Sequence, residues 1–85
     1  MTYVLDHLSW PKQLSRWTDD QQKVLIALSH ERWRWRTKEG LMAATALQQP
    51  RVDDALAELL QAGAVRPSLS RAGGIIYGLV DRVDE

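Results

Sequence analysis

The chain has 85 residues, of which 45% are hydrophobic and 26% are charged, as in an ordinary folded domain and unlike a disordered chain. Its eleven basic and eleven acidic side chains give a formal charge of zero, which argues against a strongly basic nucleic-acid-binding surface. Cysteine is absent, which excludes disulfides and thiolate metal sites, and no apolar run approaches the roughly 20 residues of a membrane span, so we expect a cytoplasmic protein.

Residues 1–17 precede the first clear helical pattern and carry scattered apolar side chains, which Pro11 divides. We expect an N-terminal arm or a short helix in this segment, followed by a domain that spans residues 18–85. Exposed apolar residues of the arm, such as Tyr3 and Trp10, would then anchor a protein partner. In a homodimer, residues 1–17 would help to join the two subunits.

Thr18 marks the start of the first helix, because its hydroxyl suits an N-cap and Gln21 stands where the partner of a capping box belongs. Asp19 and Asp20 suit the positive end of the helix dipole. The residues that follow recur at helical spacing and predict an apolar stripe facing the core, made of Val24, Leu25 and Leu28.

Tryptophan and arginine alternate over residues 32–36, which is the period of a short strand with one buried face. We expect Trp33 and Trp35 on that face, in the core, and Arg34 in solvent. The other interpretation is a nucleic-acid patch, in which bases stack on the indoles and guanidinium groups contact phosphates. Burial is the favoured interpretation, because paired aromatic side chains beside an amphipathic helix are usually core.

A second helix is predicted over residues 38–47, with Thr37 as its N-cap. Gly40 lowers the helix propensity, and the usual compensation is the close approach of a neighbouring element. The small apolar side of this helix consists of Leu41, Met42, Ala44 and Thr45.

A third helix is predicted over residues 50–62, because Pro50 suits a first turn and Gly63 suits a C-terminal stop. Asp53 and Asp54 are expected in the first turn, as complements of the helix dipole. The predicted buried stripe consists of Val52, Leu56, Leu59 and Leu60. Off this stripe the helix carries one basic and three acidic side chains, which are Arg51, Asp53, Asp54 and Glu58.

The segments "AVRP" and "GIIYGLV" are rich in β-branched and aromatic residues and flank "SLSRAGG", whose paired glycines can adopt positive φ. Together they predict a β-hairpin with a glycine-containing loop at its tip. The last residues of the chain, "DRVDE", are expected to form a fraying polar end.

Helix, short strand, helix, turn, helix and hairpin is the order of elements in a winged helix, an α+β, mainly α fold. The stretch from Val24 to Val80 resembles the winged-helix superfamily, bacterial type, in which Trp, any residue, an aromatic, Arg and Thr precede the second helix. The phrase "LAELLQAGAVRPS" resembles the end of the third helix, its glycine stop and the first wing strand. One departure is the turn between helices, where Ala46 and Gln48 replace the usual Gly and Ser or Thr.

The resemblance implies a DNA-binding transcriptional regulator that lays its third helix in the major groove and touches the flanking backbone with the wing. The candidate nucleic-acid contacts are Arg34, Lys38, Arg51, Arg66 and Arg71. The alternative is a protein–protein interaction module on the same scaffold, because phosphates would repel the acidic side chains of the third helix. The partner is double-stranded DNA in the first case and another protein in the second.

No enzyme signature is found in the sequence. His7 and His30 belong to different segments, and neither has a second ligand at metal-binding spacing. The adjacent acids of the first and third helices are explained by the helix dipole and do not indicate catalysis. We therefore expect a non-enzymatic binding module with no cofactor, no metal and no membrane contact.

Overall fold

The computed structural model describes residues 8 and 10–83. These residues form an α+β structure, mostly helical, with five helices and one three-stranded antiparallel sheet of strand order β1-β3-β2. None of the described helices is long and apolar enough to span a bilayer. In chain order the elements are a 3₁₀ helix (Trp10–Arg16), α1 (Asp19–Leu28), β1 (Arg36–Thr37), α2 (Lys38–Thr45), α3 (Gln49–Gln61), β2 (Val65–Leu69), β3 (Ile75–Leu79) and α4 (Val80–Val83).

Helix α1 begins as the sequence predicts. The Thr18 hydroxyl accepts a hydrogen bond from the backbone N–H of Gln21 (3.2 Å), and the Gln21 side chain accepts one from the backbone N–H of Thr18 (3.1 Å). This reciprocal pair satisfies N–H groups that have no partner inside the helix. The buried residues of α1 include the predicted stripe and are Val24, Leu25, Ala27 and Leu28.

The core extends into the N-terminal segment, where Trp10 and Trp17 are 5% and 8% exposed. The Trp10 Nε1–H donates to the Ser29 hydroxyl (3.0 Å), and that hydroxyl donates to the backbone oxygen of Leu25 (2.6 Å). The expectation that Trp10 is an exposed anchor is therefore wrong, because the end of α1 offers its indole both apolar surface and an acceptor. Tyr3, the other expected anchor, lies outside the described residues.

The alternating stretch before β1 is not the strand that its pattern predicts. Within residues 32–37 only Arg36–Thr37 pairs with β3, and residues 31–35 form a turn, a bend and irregular backbone. Trp33 is 46% exposed and Trp35 is partly buried, so the expectation of two core indoles is wrong for Trp33. The reason lies in the backbone between α1 and β1, whose carbonyl groups turn inward to the guanidinium group of Arg82.

Thr37 caps α2 as predicted and accepts a hydrogen bond from the Gly40 N–H (3.0 Å). A Cβ atom at Gly40 would lie 3.3 Å from the Thr37 hydroxyl oxygen, so the close neighbour of this glycine is the cap itself. The helix ends at Thr45, earlier than predicted, because Ala46 adopts a left-handed conformation (φ 60°) in which the helix cannot continue. Leu47 then turns into the core.

Helix α3 begins just before Pro50, and Gly63 follows its end with the expected positive φ (76°). The early start places Asp53 and Asp54 beyond the first turn, so the expectation that they complement the helix dipole there is wrong. The buried stripe of α3 consists of Val52, Ala55, Leu56 and Leu59, and Leu60 packs against it partly buried.

Strands β2 and β3 form the predicted hairpin, with Leu69 opposite Ile75 beside the loop. Gly73 in the loop has the positive φ (87°) that the paired glycines predict. Strand β1 pairs with the other edge of β3, so β3 is the central strand. The sheet therefore places the hairpin next to the N-terminal end of α2, which follows β1 directly.

Helix α4 is the last described element, and the fraying polar end that the sequence predicts over residues 81–85 is wrong for residues 81–83. Arg82 is 8% exposed, and its Nη1 donates hydrogen bonds to the backbone oxygens of Leu28 (3.0 Å), His30 (2.8 Å) and Trp33 (3.0 Å). The cation thereby satisfies the buried backbone oxygen of Leu28 and two partly buried oxygens of the segment that follows α1. The last two residues of the predicted polar end, 84 and 85, lie outside the described residues.

Candidate functional site at the hairpin tip

One face of the hairpin carries a ladder of apolar residues. Residues directly opposite in an antiparallel pair share a face, and every second residue along a strand returns to it. Val65 and Leu79, which lie opposite each other where the hairpin leaves the core, are buried, whereas Leu69 and Ile75 at the tip are 72% and 55% exposed. The ladder therefore leaves the core and continues into solvent. Its three pairs are Val65–Leu79, Pro67–Tyr77 and Leu69–Ile75.

A groove of about 380 Å³ runs between the hairpin and the N-terminal ends of α2 and α3. Ile75, Tyr77 and Met42 give it apolar walls, and the first residues of the two helices give it polar ones. We call this groove, together with the adjacent Leu69, the tip surface. The residues that line the groove are Lys38, Glu39, Met42, Gln49, Ile75 and Tyr77.

Lys38 lines the groove and is already paired with a carboxylate of the same chain. Its Nζ lies 2.7 Å from Oδ1 of Asp53. The hydrogen bond to Asp53 raises the pKa of Lys38 above its usual range. The ion pair joins the first residue of α2 to α3, so Lys38 would have to exchange a carboxylate for a phosphate in order to contact DNA.

Arg51 is paired as well. Its Nε and Nη2 donate to the two carboxylate oxygens of Asp20 in α1, at 2.8 Å and 2.6 Å, in a bidentate arrangement. The hydrogen bond from Arg51 lowers the pKa of Asp20 below its usual range. The exposed side of α3 therefore presents Asp54 and Glu58 beside a cation that is already neutralised.

The other three candidate cations, Arg34, Arg66 and Arg71, are exposed. Arg66 is in β2 opposite Gly78, and the backbone oxygen of Arg34 also approaches Gly78, near the base of β3. Arg71 lies in the hairpin loop, beyond the other end of β3. The structure therefore does not bring the five candidate cations together in one patch.

Leu69 and Ile75 are not among the candidate site residues of the sequence. The signal that could have found them is the alternation within "VRPSL" and "IIYGL", which assigns them to one face once the strand register is known. Their exposure depends on how far the hairpin extends past the helices. The position of the hairpin tip relative to the helices is fixed only in the folded chain.

The described part of residues 1–17 places most of its large apolar side chains in the core. Leu8, Trp10 and Trp17 are buried, whereas Leu14 is exposed. The expected homodimer through this segment stays a prediction, because residues 1–7 and 9 lie outside the described residues.

Within the described part of the chain, no three His, Cys, Asp or Glu side chains group in a way that could hold a metal ion. Comparison of the sequence and the structure with family models, curated proteins and solved structures finds no match. The functional assignment therefore depends on the order of the elements and on the tip surface.

Proposed function

We propose that the chain is a non-enzymatic binding module with the winged-helix arrangement, in which β2 and β3 form the wing. The order of α1, β1, α2, α3 and the hairpin supports this arrangement, as does the pairing of β1 with β3. Residues 46–48 connect α2 to α3, a length that suits a helix-turn-helix. A cytoplasmic location, expected from the cysteine-free composition, is part of the same proposal.

The ligand that the geometry supports best is another protein, bound at the tip surface. The observation that carries this proposal is the exposure of Leu69 and Ile75 as a cross-strand pair, continuous with the apolar walls of the groove. Burying an aliphatic side chain of this size contributes about 1.5 to 3 kcal/mol, so a partner that covers the pair gains substantially. DNA-binding interfaces are instead polar and strongly positive.

The charges of α3 support the same ligand class. A helix in the major groove lies close to phosphates, and each basic side chain there releases counterions. On α3 the basic side chain Arg51 is held by Asp20, while Asp54 and Glu58 are exposed. Such a helix face is repelled by DNA and is compatible with a protein surface.

A DNA-binding transcriptional regulator is the second candidate function. Arg34 and Arg71 favour it, because both are exposed and neither forms an ion pair with a carboxylate among the described residues. An arginine in the hairpin loop is well placed to enter a minor groove. In this mode the wing, and not α3, would make the main contacts.

The protein-binding proposal is tested by removing the apolar pair. The double variant Leu69→Ser/Ile75→Thr should lose proteins that the unmodified chain captures from its source cells, as quantified by mass spectrometry. The matched control is Leu14→Ser/Ile26→Thr, which removes two exposed apolar side chains elsewhere and should keep those proteins. If the capture profile of the Leu69→Ser/Ile75→Thr variant equals that of the control, the tip surface is not the binding site.

The second candidate is tested by titrating duplex DNA at two salt concentrations. A wing-led DNA mode predicts affinity that falls steeply with salt, because bound arginines release counterions. Arg71→Gln should then weaken binding more than Arg16→Gln, which removes an exposed cation outside the wing. A millimolar affinity that does not change between the two salt concentrations would argue against DNA as the ligand and leave the protein-binding proposal intact.

A further inference from the structure

The backbone of the loop that connects α1 to β1 is hydrogen-bonded to Arg82. Arg82 donates hydrogen bonds from Nη1 to the backbone oxygens of His30 (2.8 Å) and Trp33 (3.0 Å), and from Nη2 to that of Glu31 (3.4 Å). Within the loop, the Arg32 N–H donates to Nδ1 of His30 (3.1 Å). These bonds order the backbone before any partner arrives, which reduces the entropy lost on binding.

This rigid loop presents Trp33 to solvent. Two other tryptophans of the chain, Trp10 and Trp17, are buried in the core, whereas Trp33 is nearly half exposed. The guanidinium group of Arg32 lies over its ring, 5.3 Å from the centroid, and the exposed Arg34 follows it directly. An exposed indole that carries one cation over its ring and has a second next to it in the sequence is not required by the core of this fold.

We propose that Trp33, Arg32 and Arg34 bind a short acidic segment of a partner protein, in which an apolar side chain is flanked by Asp or Glu. The apolar side chain packs on the open face of the indole, and the carboxylates pair with the two guanidinium groups. Tryptophan and arginine are the residue types that most often dominate binding energy at protein interfaces. Charge complementarity selects an acidic segment over a neutral one.

The size and charge of the site favour a peptide over a nucleic acid. Single-strand platforms combine several stacking rings with a basic groove that follows the backbone. Here one ring and two cations form the whole site, and the exposed carboxylate of Glu31 stands beside them. The chain has zero net charge, so it supplies no long-range attraction for a polyanion.

This site is independent of the tip surface. The loop approaches Gly78 through the Arg34 backbone and the Trp35 ring, whereas Ile75 and Tyr77 of the tip surface point to the opposite face of β3, because successive strand residues alternate in face. A module that carries both sites would join two different partners. A negative binding result at one of the two sites therefore does not argue against binding at the other.

The experiment is a nuclear magnetic resonance titration that follows the indole N–H signals. The Trp33 signal is assigned from its loss in Trp33→Phe. The probe is the peptide Ac-Glu-Asp-Leu-Phe-Glu-Asp-amide, and its uncharged counterpart carries Gln and Asn at the acidic positions. We expect the acidic peptide to shift the Trp33 signal progressively at millimolar concentration, and the counterpart to bind at least about tenfold more weakly.

The variant Arg32→Gln/Arg34→Gln should abolish the shift. Its matched control is Lys12→Gln/Arg16→Gln, which removes the same charge, including the Arg16 guanidinium that lies 4.8 Å from the ring centroid of the buried Trp17. This control should retain the shift. Equal shifts with the two peptides, no shift with either, or a shift that survives Arg32→Gln/Arg34→Gln would overturn the proposal.

A single-stranded thymidine dodecamer is titrated in parallel. A Trp33 shift at lower concentrations of the dodecamer than of the acidic peptide would also overturn the proposal, and would assign the loop to nucleic acid. Thermal unfolding of each variant is measured beforehand, and only variants with the midpoint of the unmodified chain are compared.

Discussion

The indole of Trp10 and the hydroxyl of Ser29 are joined by a buried hydrogen bond of 3.0 Å. The bond connects the N-terminal 3₁₀ helix to the end of α1, and the hydroxyl in turn donates to the backbone oxygen of Leu25. The large apolar surface of Trp10 is thus buried without an unpaired N–H group. Trp10 of the 3₁₀ helix is therefore part of the same core as the hairpin residues Val65, Tyr77 and Leu79.

Replacing Trp10 with alanine is expected to lower the free energy of unfolding by about 3 to 5 kcal/mol, because it leaves a large cavity in the core. Trp33→Ala removes the same side chain from an exposed loop and should cost less than about 1 kcal/mol. Urea denaturation followed by circular dichroism measures both values. Equal losses in the two variants would contradict the burial of Trp10.

Arg82→Met is expected to lower the free energy of unfolding by about 3 kcal/mol, because several backbone oxygens lose their donor while an unbranched apolar stem is kept. Amide hydrogen exchange should rise within residues 30–35, where those oxygens lie. The control is Arg71→Met in the exposed hairpin loop, which should change neither quantity. Unchanged exchange in Arg82→Met would show that the loop does not depend on this cation.

Gly78→Ala is expected to lower the free energy of unfolding by about 1 to 3 kcal/mol, because the added methyl overpacks β3. A Cβ atom there would lie 2.8 Å from Cγ1 of Val83, 2.9 Å from the Arg34 oxygen and 3.0 Å from Cε3 of Trp35. In Gly74→Ala the nearest atom is the Ser70 hydroxyl oxygen, at 3.7 Å, so that variant should be tolerated. Thermal denaturation of the two variants compares them directly.

Ala46→Gly is expected to stabilise the protein by up to about 1 kcal/mol, because glycine adopts the left-handed conformation without the strain that Ala46 carries. Ala43→Gly, at an exposed position inside α2, should have the opposite sign and cost about 1 kcal/mol. Chemical denaturation gives the sign of each change. A loss of stability in Ala46→Gly would mean that residue 46 is not strained.

The Asp20–Arg51 pair is expected to make stability depend on pH in the acid range. Arg51 lowers the pKa of Asp20 in the folded state, so the contribution of the pair is complete above the unfolded pKa of about 4 and is lost as the pH falls through the lower folded value. Asp20→Asn should therefore flatten the decline of Tm between about pH 5 and about pH 2. Asp54→Asn should retain the decline, because Asp54 forms no ion pair with the described residues.

Local chemistry was sufficient to predict the starts of α1 and α2, the stop of α3 and the hairpin. The Thr18–Gln21 cap, the glycine after α3 and the glycine in the hairpin loop act on atoms a few residues away, so their effect is visible in a short window. The prediction that Asp53 and Asp54 lie in the first turn of α3 was wrong, because a small shift of the helix start changes which residues lie near the positive end of the dipole.

The candidate site was predictable only as a set of side-chain types. Charge singled out Lys38 and Arg51 as candidate nucleic-acid contacts, but the structure pairs both with carboxylates of other elements. Arg51 and Asp20 are 31 residues apart, and no local sequence pattern predicts their contact. The exposed hairpin pair was missed for a related reason, since exposure depends on what the neighbouring helices leave uncovered.

The sequence by itself determined that α1, α2, α3 and the hairpin form, because hydrogen bonds between near neighbours and the conformational limits of glycine and proline act locally. The tertiary structure alone decided which tryptophans are buried. Trp10 donates to Ser29, 19 residues away in the sequence, and Arg82 donates to the backbone oxygen of Leu28, 54 residues away. Arg82 also bonds the loop on which Trp33 is exposed. Burial is a property of distant segments that meet, and only the folded chain brings them together.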